Sequence, residues 1–328
     1  MYGRLKYNIH GILKVESNIE GLIPPVFKVD YLDSLDLSVF ILSTSEFKNL
    51  CKADGLKFGR FYLKDLPGHT VVYYIYNKII GDINYFLNDS VVPHCNYFIT
   101  NTLIPLKFLQ KGYSVIHGAC LDYRGDGLLI IAPSNTGKTL TTLLLAKAGF
   151  SYLSDDLTIT DGLHAYSYPS DCTISLTTLK ILGIDIKINE YLKLKFRQII
   201  NKIPFLAPCL DGIRIPPNRI IKNLKLRDAT MIKYIFFLDP MRDSIQVLDE
   251  ETAFRRLLNA SYEIKITENY LLSTYLYEYP DDACLTELIE LRNTIYRRVC
   301  SKSKAFLLGD TKREFAKHIL RIVSNEGY

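Results

Sequence analysis

No two cysteines in the 328-residue sequence are spaced as Cys-x-x-Cys; Cys51, Cys95, Cys120, Cys172, Cys209, Cys284 and Cys300 stand far apart. That excludes a zinc finger or ribbon and a secreted disulfide framework, and makes reduced thiols in a cytoplasmic setting the expectation. No apolar run reaches the ~20 residues a membrane-spanning helix needs. The opening Met1-Tyr2-Gly3-Arg4-Leu5-Lys6-Tyr7 leads into alternating polar and apolar residues, not the apolar core of a signal peptide. Dense basic clusters are also missing. The net charge is only +5, and the two loose basic stretches, Lys193-Lys195-Arg197 and Arg292-Arg297-Arg298-Lys302-Lys304, read as solvated helix faces. Neither a membrane nor a nucleic acid is therefore an expected partner. Internal repeats and low-complexity tracts are absent too. What remains is ordinary packed protein: 48% hydrophobic and 23% charged residues supply a core that needs no staples.

The first 95 residues read as a strand-rich α+β part, with strands predicted over 5–15, 37–42, 57–63, 71–76 and 79–86 and a short helix over 44–53. The spacing turns helical over 97–110 despite Pro105, so a domain boundary is placed near residue 95, dividing the chain into 1–95 and 96–328. From Tyr113 the pattern is that of an α/β nucleotide-binding core. A strand over 114–121 carries His117-Gly118, and the turn Arg124-Gly125-Asp126-Gly127 follows. The fully apolar Leu128-Leu129-Ile130-Ile131 suits a strand covered on both faces. A helix over 138–148 ends at Gly149, then come an apolar stretch over 150–153, the pair Asp155-Asp156 and a strand over 157–160. Further on, 190–201, 250–259, 270–279, 282–298 and 311–323 read as helices and 232–238 as a strand. Residues 204–219 form a Pro-rich loop that would suit a lid, with Arg214 and Arg219 as secondary phosphate-contact candidates beside Arg242.

The segment with chemical content is Ala132-Pro133-Ser134-Asn135-Thr136-Gly137-Lys138-Thr139. A loop that grips polyphosphate needs inward-pointing backbone N–H groups, a Lys that reaches the β and γ oxygens, and a Ser or Thr hydroxyl for Mg²⁺ at a helix N-terminus. Gly137, Lys138 and Thr139 are the defining end of that motif, and Ser134, Asn135 and Thr136 are small and polar. Ser134 through Leu140 are thus the candidate nucleotide-binding residues. The usual opening Gly is replaced by Ala132, which fits if its φ stays negative. The strand before and the helix after give the frame the motif demands.

Two carboxylates follow the next apolar stretch. Alone, Asp155-Asp156 would be a solvated turn or helix cap, and His117 a core or surface histidine. In this order and spacing, residues 115–160 resemble the catalytic domain of HPr kinase/phosphorylase and its wider family of Ser-directed kinases. That family is distantly related to phosphoenolpyruvate carboxykinases and includes kinases encoded with peptide-modification gene clusters. The resemblance implies an α/β P-loop core of that type, with Lys138 on the β/γ-phosphates and Thr139 and Asp156 on Mg²⁺. It implies that Asp155 accepts the proton of the attacking hydroxyl and that His117, close to it, tunes it. The Glu-Ile-Arg-Gly signature of HPr kinases is absent; Tyr168-Pro169-Ser170-Asp171 stands in its place. That departure points away from HPr as substrate and away from a reverse phosphorylase activity.

The expected function is a kinase that uses ATP and Mg²⁺ to phosphorylate a Ser-type hydroxyl of a protein, peptide or small molecule. The alternative is a nucleotide switch that hydrolyses slowly and has no acceptor. The acceptor, the preferred nucleotide and the oligomeric state stay open.

Overall fold

Alternation of polar and apolar residues builds the first sheet, and left-handed residues fold it back on itself. We describe the chain from a computed structural model over residues 3–50, 55–66, 68–203, 212–261, 270–280 and 284–325. The structure divides into two compact units, Met1–Gly112 with Lys265–Leu291, and Tyr113–Ile264 with Arg292–Tyr328. The division falls after Gly112, not near residue 95, and a segment remote in sequence returns to the first unit.

In the first unit, β1 (Leu5–Ile9), β2 (Leu13–Ser17), β3 (Lys28–Val29), β4 (Leu37–Leu42), β5 (Leu56–Phe58), β6 (Phe61–Leu66) and β7 (His69–Ile75) form one sheet in the order β3-β1-β2-β4-β7-β6-β5. Two strands expected to be continuous are hairpins. His10 (φ +54°) and Gly11 (φ +72°) turn the chain between β1 and β2, and Gly59 (φ +55°) does so between β5 and β6. The expected strand over 79–86 is a helix, Lys78–Asn88. Asn77 caps it by accepting from the Ile80 N–H, and Ile79, Ile80, Ile83 and Phe86 recur at helical rather than alternate spacing. The helix expected over 97–110 is present but begins earlier, at Pro93, and holds a π-turn over Ile99–Leu103 directly ahead of Pro105. The Ile104 N–H reaches back to the Ile99 carbonyl, and this wider turn accommodates a proline that donates nothing. The Tyr-rich helix Tyr270–Glu278 belongs to this unit; its buried Tyr275 shares a hydrogen bond with Thr70 of β7 (3.1 Å).

The second unit is mixed α/β. Its main sheet has nine strands: β8 (Ser114–His117), β9 (Ala119–Tyr123), β10 (Asp126–Ile131), β11 (Ser151–Ser154), β12 (Leu157–Thr160), β13 (His164–Tyr166), β16 (Ala229–Asp239), β17 (Ser244–Leu248) and β18 (Lys304–Gly309). β14 (Cys172–Ile174) and β15 (Ile213–Ile215) pair separately. The long β16 organises the sheet. One edge runs parallel to β10; the other pairs first with β13 and then, in parallel, with β18. β9 lies antiparallel beside β10, and β11 antiparallel beside β9, so β10 and β11 end at the same edge. Helix Lys138–Lys147 follows β10 and buries Leu143, Leu145 and Ala146 in one cluster with Leu121, Leu128, Ile130 and Phe236. It stops at Gly149 (φ +102°). Strands of three residues, such as β13, β14 and β15, are too short to show a period in sequence. Among the described residues no helix is long and apolar enough to cross a membrane.

Candidate functional site

The loop from Ala132 to Thr139 leaves the end of β10 and enters the helix at Lys138. Ala132 is buried in the core cluster and is not among the positive-φ residues, so its Cβ meets no backbone strain. Asn135 (φ +64°) and Gly137 (φ +111°) supply the left-handed turns that curl the loop, and the Thr136 N–H closes it on the Pro133 carbonyl (3.3 Å). Successive N–H groups in such a turn, at a helix N-terminus, make an anion cradle. Ser134 and Asn135 are exposed at its lip, while Thr136 and Lys138 are buried. Leu140 packs its side chain against the core, so only its backbone is available to a ligand.

His117 and the two aspartates reach the same edge from two other strands. The expected 114–121 strand is interrupted at Gly118, between β8 and β9; a Cβ there would lie 2.5 Å from Ile131 Cδ1 and 3.1 Å from the Ile130 carbonyl, so the position admits no side chain without a shift. Its N–H donates to the Asp156 carbonyl (2.9 Å), and its carbonyl accepts from Thr158 Oγ1 (2.8 Å). Thr158 in turn shares a 2.6 Å hydrogen bond with Ser154. These buried bonds fix the β11–β12 turn, with its Asp155-Asp156 pair, to the His117-Gly118 corner.

The two carboxylates, in the bend between β11 and β12, face different partners. Thr139 Oγ1 donates to Asp155 Oδ2 (2.8 Å). Asp156 Oδ1 lies 2.9 Å from His117 Nε2 and 3.4 Å from Lys138 Nζ, and Lys138 Nζ is 3.1 Å from His117 Nε2. His117 therefore stands beside Asp156 and not, as expected, beside Asp155. Thr139 stands beside Asp155, not Asp156.

Their environments pull the two aspartates apart. Asp155 is only 4% exposed, and burial pushes its carboxyl up to about 6 against the opposing pull of Lys138 and Thr139. Its other oxygen, Oδ1, is buried without a hydrogen-bond partner. Surrounding protein also desolvates Asp156, but the His117 hydrogen bond and the Lys138 charge outweigh that and hold its carboxyl well below the usual range. The Asp156 side chain is nonetheless 61% exposed, so this direction rests on its two cationic-side partners. The Cys172 thiol, on β14, lies 3.6 Å from the Tyr152 hydroxyl, and its nearness to Asp155 opposes the rise of that carboxyl slightly.

The donor set suits a hard divalent cation: the Thr139 hydroxyl and the Asp155 carboxylate with its orphaned Oδ1, at a helix N-terminus. Among the described residues no three His, Cys, Asp or Glu side chains cluster to hold a metal by themselves. A Mg²⁺ ion here would complete its shell with phosphate oxygens and water, the usual arrangement in phosphoryl-transfer sites.

Sequence reasoning missed two neighbours. Cys172 carries no spacing signal. Arg313, from the turn after β18, donates through Nη1 to the Asn135 carbonyl of the loop (3.1 Å) across 178 residues of sequence, and no motif links the two segments. Two of the three secondary arginine candidates are engaged elsewhere: Arg219 forms a two-pronged pair with Glu190 (2.8 and 2.9 Å) and Arg242 pairs with Asp239 (3.1 Å), while Arg214 lies on β15. Residues 204–211 of the expected Pro-rich lid lie outside the described residues.

No family model matches the sequence, and no curated protein matches it. Among solved structures, the Hpr(Ser) kinase/phosphatase from Coxiella burnetii is similar over 41% of this chain and 77% of its own, with a TM-score of 0.24 and 14% identity. A likeness of that size carries no functional argument.

Proposed function

We propose that the chain is a nucleotide-dependent phosphotransferase that moves the γ-phosphoryl group of ATP to a Ser-type hydroxyl of a protein, peptide or small molecule. One observation carries the reading: the Lys138–Thr139 helix start, the Asp155–Asp156 pair and His117 converge at one sheet edge, Thr139 bonded to Asp155, and His117 and Lys138 both to Asp156. Phosphoryl transfer asks a protein for charge neutralisation, in-line placement and a proton acceptor. These residues supply all three.

Backbone N–H groups from Ser134 to Leu140, with Lys138, would hold the β- and γ-phosphates. Thr139 and Asp155 would hold Mg²⁺, which when bound neutralises charge on the phosphate oxygens. Asp156 takes the proton of the attacking hydroxyl as the oxygen–phosphorus bond forms. The bond from phosphorus to the β,γ-bridging oxygen breaks, and ADP leaves with that electron pair. His117 positions Asp156. Lys138, once turned to the phosphates, removes its charge from Asp156, whose affinity for a proton then rises.

This exchanges the roles the sequence suggested for the two aspartates. A raised pKa suits a base, which favours Asp155, but reach comes before pKa. Asp155 is buried and committed to Thr139, whereas Asp156 is open to an incoming hydroxyl.

The test is γ-labelled ATP with Mg²⁺, offered to peptides bearing Ser, Thr or Tyr and to free serine. Wild type is expected to label a hydroxyl acceptor, and Lys138→Ala and Asp156→Asn to lose at least ~100-fold in rate. Phosphate release without a labelled acceptor, undiminished in Asp156→Asn, would sink the kinase reading and leave a nucleotide switch.

A further inference from the structure

The turn that follows β18 is built around one carboxylate. Asp310 is buried; its Oδ1 accepts from the Lys312 N–H (2.8 Å), and its Oδ2 from the Glu314 N–H (3.1 Å) and from His318 Nε2 (2.9 Å). Its own N–H donates to the Asp239 carbonyl at the end of β16 (3.0 Å). Thr311 is tied to Asp243 through both its N–H (2.7 Å) and its hydroxyl (2.9 Å). Gly309 lets the chain pass close to the segment after β16, since a Cβ there would lie 2.5 Å from the Arg242 carbonyl.

The residue that all this fixes is Arg313. Its φ of +60° is a left-handed value that a β-carbon disfavours, and its N–H is bonded to the Asp310 carbonyl (3.0 Å). A non-glycine residue held there is strained, and the surrounding hydrogen bonds keep it in place. The conformation sends the side chain to the phosphate-type loop, where Nη1 meets the Asn135 carbonyl (3.1 Å). A guanidinium has five donors in a planar fork, and among the described residues Arg313 uses one of them on protein. The exposed Lys312 stands next to it in the chain.

We propose that Arg313 is a nucleotide-binding residue: a second cation, after Lys138, that contacts the polyphosphate seated on the Ala132–Thr139 loop and is aimed there by the Asp310-centred turn. The proposal rests on the phosphotransferase reading of the loop and extends it. Arg suits the role better than Lys because its fork offers two parallel donors to a phosphate while a further donor stays on Asn135.

Equilibrium binding of MgATP to wild type, Arg313→Ala, Arg313→Gln, Arg313→Lys and Lys138→Ala tests it. Gln keeps an N–H for the Asn135 carbonyl but carries no charge. Charge-assisted hydrogen bonds are worth about 1.5–3 kcal/mol, so Arg313→Ala and Arg313→Gln are expected to lose roughly 10- to 100-fold in affinity. Arg313→Lys should lose less, and the apoproteins should melt with wild type. Wild-type affinity in Arg313→Gln, beside lost affinity in Lys138→Ala, would show that Arg313 merely props the loop; that overturns this proposal and leaves the nucleotide site standing. Failure of wild type itself to bind MgATP overturns both.

Discussion

Asp155 holds the tension of the site. It is a carboxylate buried beside another carboxylate, and its folded-state pKa stands near 6 against an ordinary value of 3.8. A folded pKa raised above the unfolded one means that the native state holds the proton over a pH range where the unfolded chain has released it. Stability linked to this group is complete below pH ~4 and declines as pH rises through ~6. Other carboxylates, such as Asp161 and Glu190, are held low, so their contribution to stability is lost as pH falls through the acid range, and the whole protein's profile mixes both signs. The clean comparison is between wild type and Asp155→Asn without ligand. The variant should gain on wild type from pH 4 to pH 7, by roughly 1–3 kcal/mol at the plateau. Denaturation midpoints that move in parallel across that range would refute a buried, charge-strained Asp155. At this scale, sequence singled out Lys138, Thr139, His117 and the aspartate pair as one candidate cluster, because the motif and its strand–loop–helix frame are local, and their side chains do converge. It did not disclose which aspartate faces which partner, since that depends on the twist of two residues between β11 and β12. Cys172 and Arg313 were not legible at all; each arrives from a distant segment whose approach is set by sheet pairing.

Among the elements, β10 and β16 do most to place the loop. Their parallel register shifts between Gly127 and Leu128. A Cβ on Gly127 would lie 2.5 Å from the Met231 carbonyl and 2.7 Å from Thr230 Cγ2, and backbone cannot swing aside as a side-chain tip can. Gly127→Ala is therefore expected to destabilise the protein by about 1–3 kcal/mol, the usual penalty for overpacking. Chemical denaturation measures it, and an unchanged midpoint would mean that the two strands do not approach so closely. The apolar run of β10 was readable because a strand covered on both faces needs no alternation. The helix at Lys78–Asn88 was not read as one: Ile79, Ile80 and Ile83 are β-branched residues that favour strands, and the helical spacing and the Asn77 cap outweigh that preference. Hairpins such as β1–β2 looked continuous because His10 carries a left-handed turn that is usually glycine's.

Taken whole, the molecule keeps its candidate chemistry within one unit. His117, the loop, both aspartates, Cys172 and Arg313 all lie in Tyr113–Ile264 with Arg292–Tyr328. The α/β character of that unit was legible from the order of strands and helices. Its boundary was not, because residues 265–291 return to the first unit, and the bond between Tyr275 and Thr70 has no counterpart in local sequence pattern. Every role proposed for these residues requires that this edge of the sheet receive a nucleoside triphosphate. Titration calorimetry of MgATP into wild type and Lys138→Ala addresses that directly. Mg²⁺-dependent binding to wild type, lost in Lys138→Ala while the variant keeps its fold, is the predicted result. Absence of binding by wild type, or equal binding by Lys138→Ala, would contradict it.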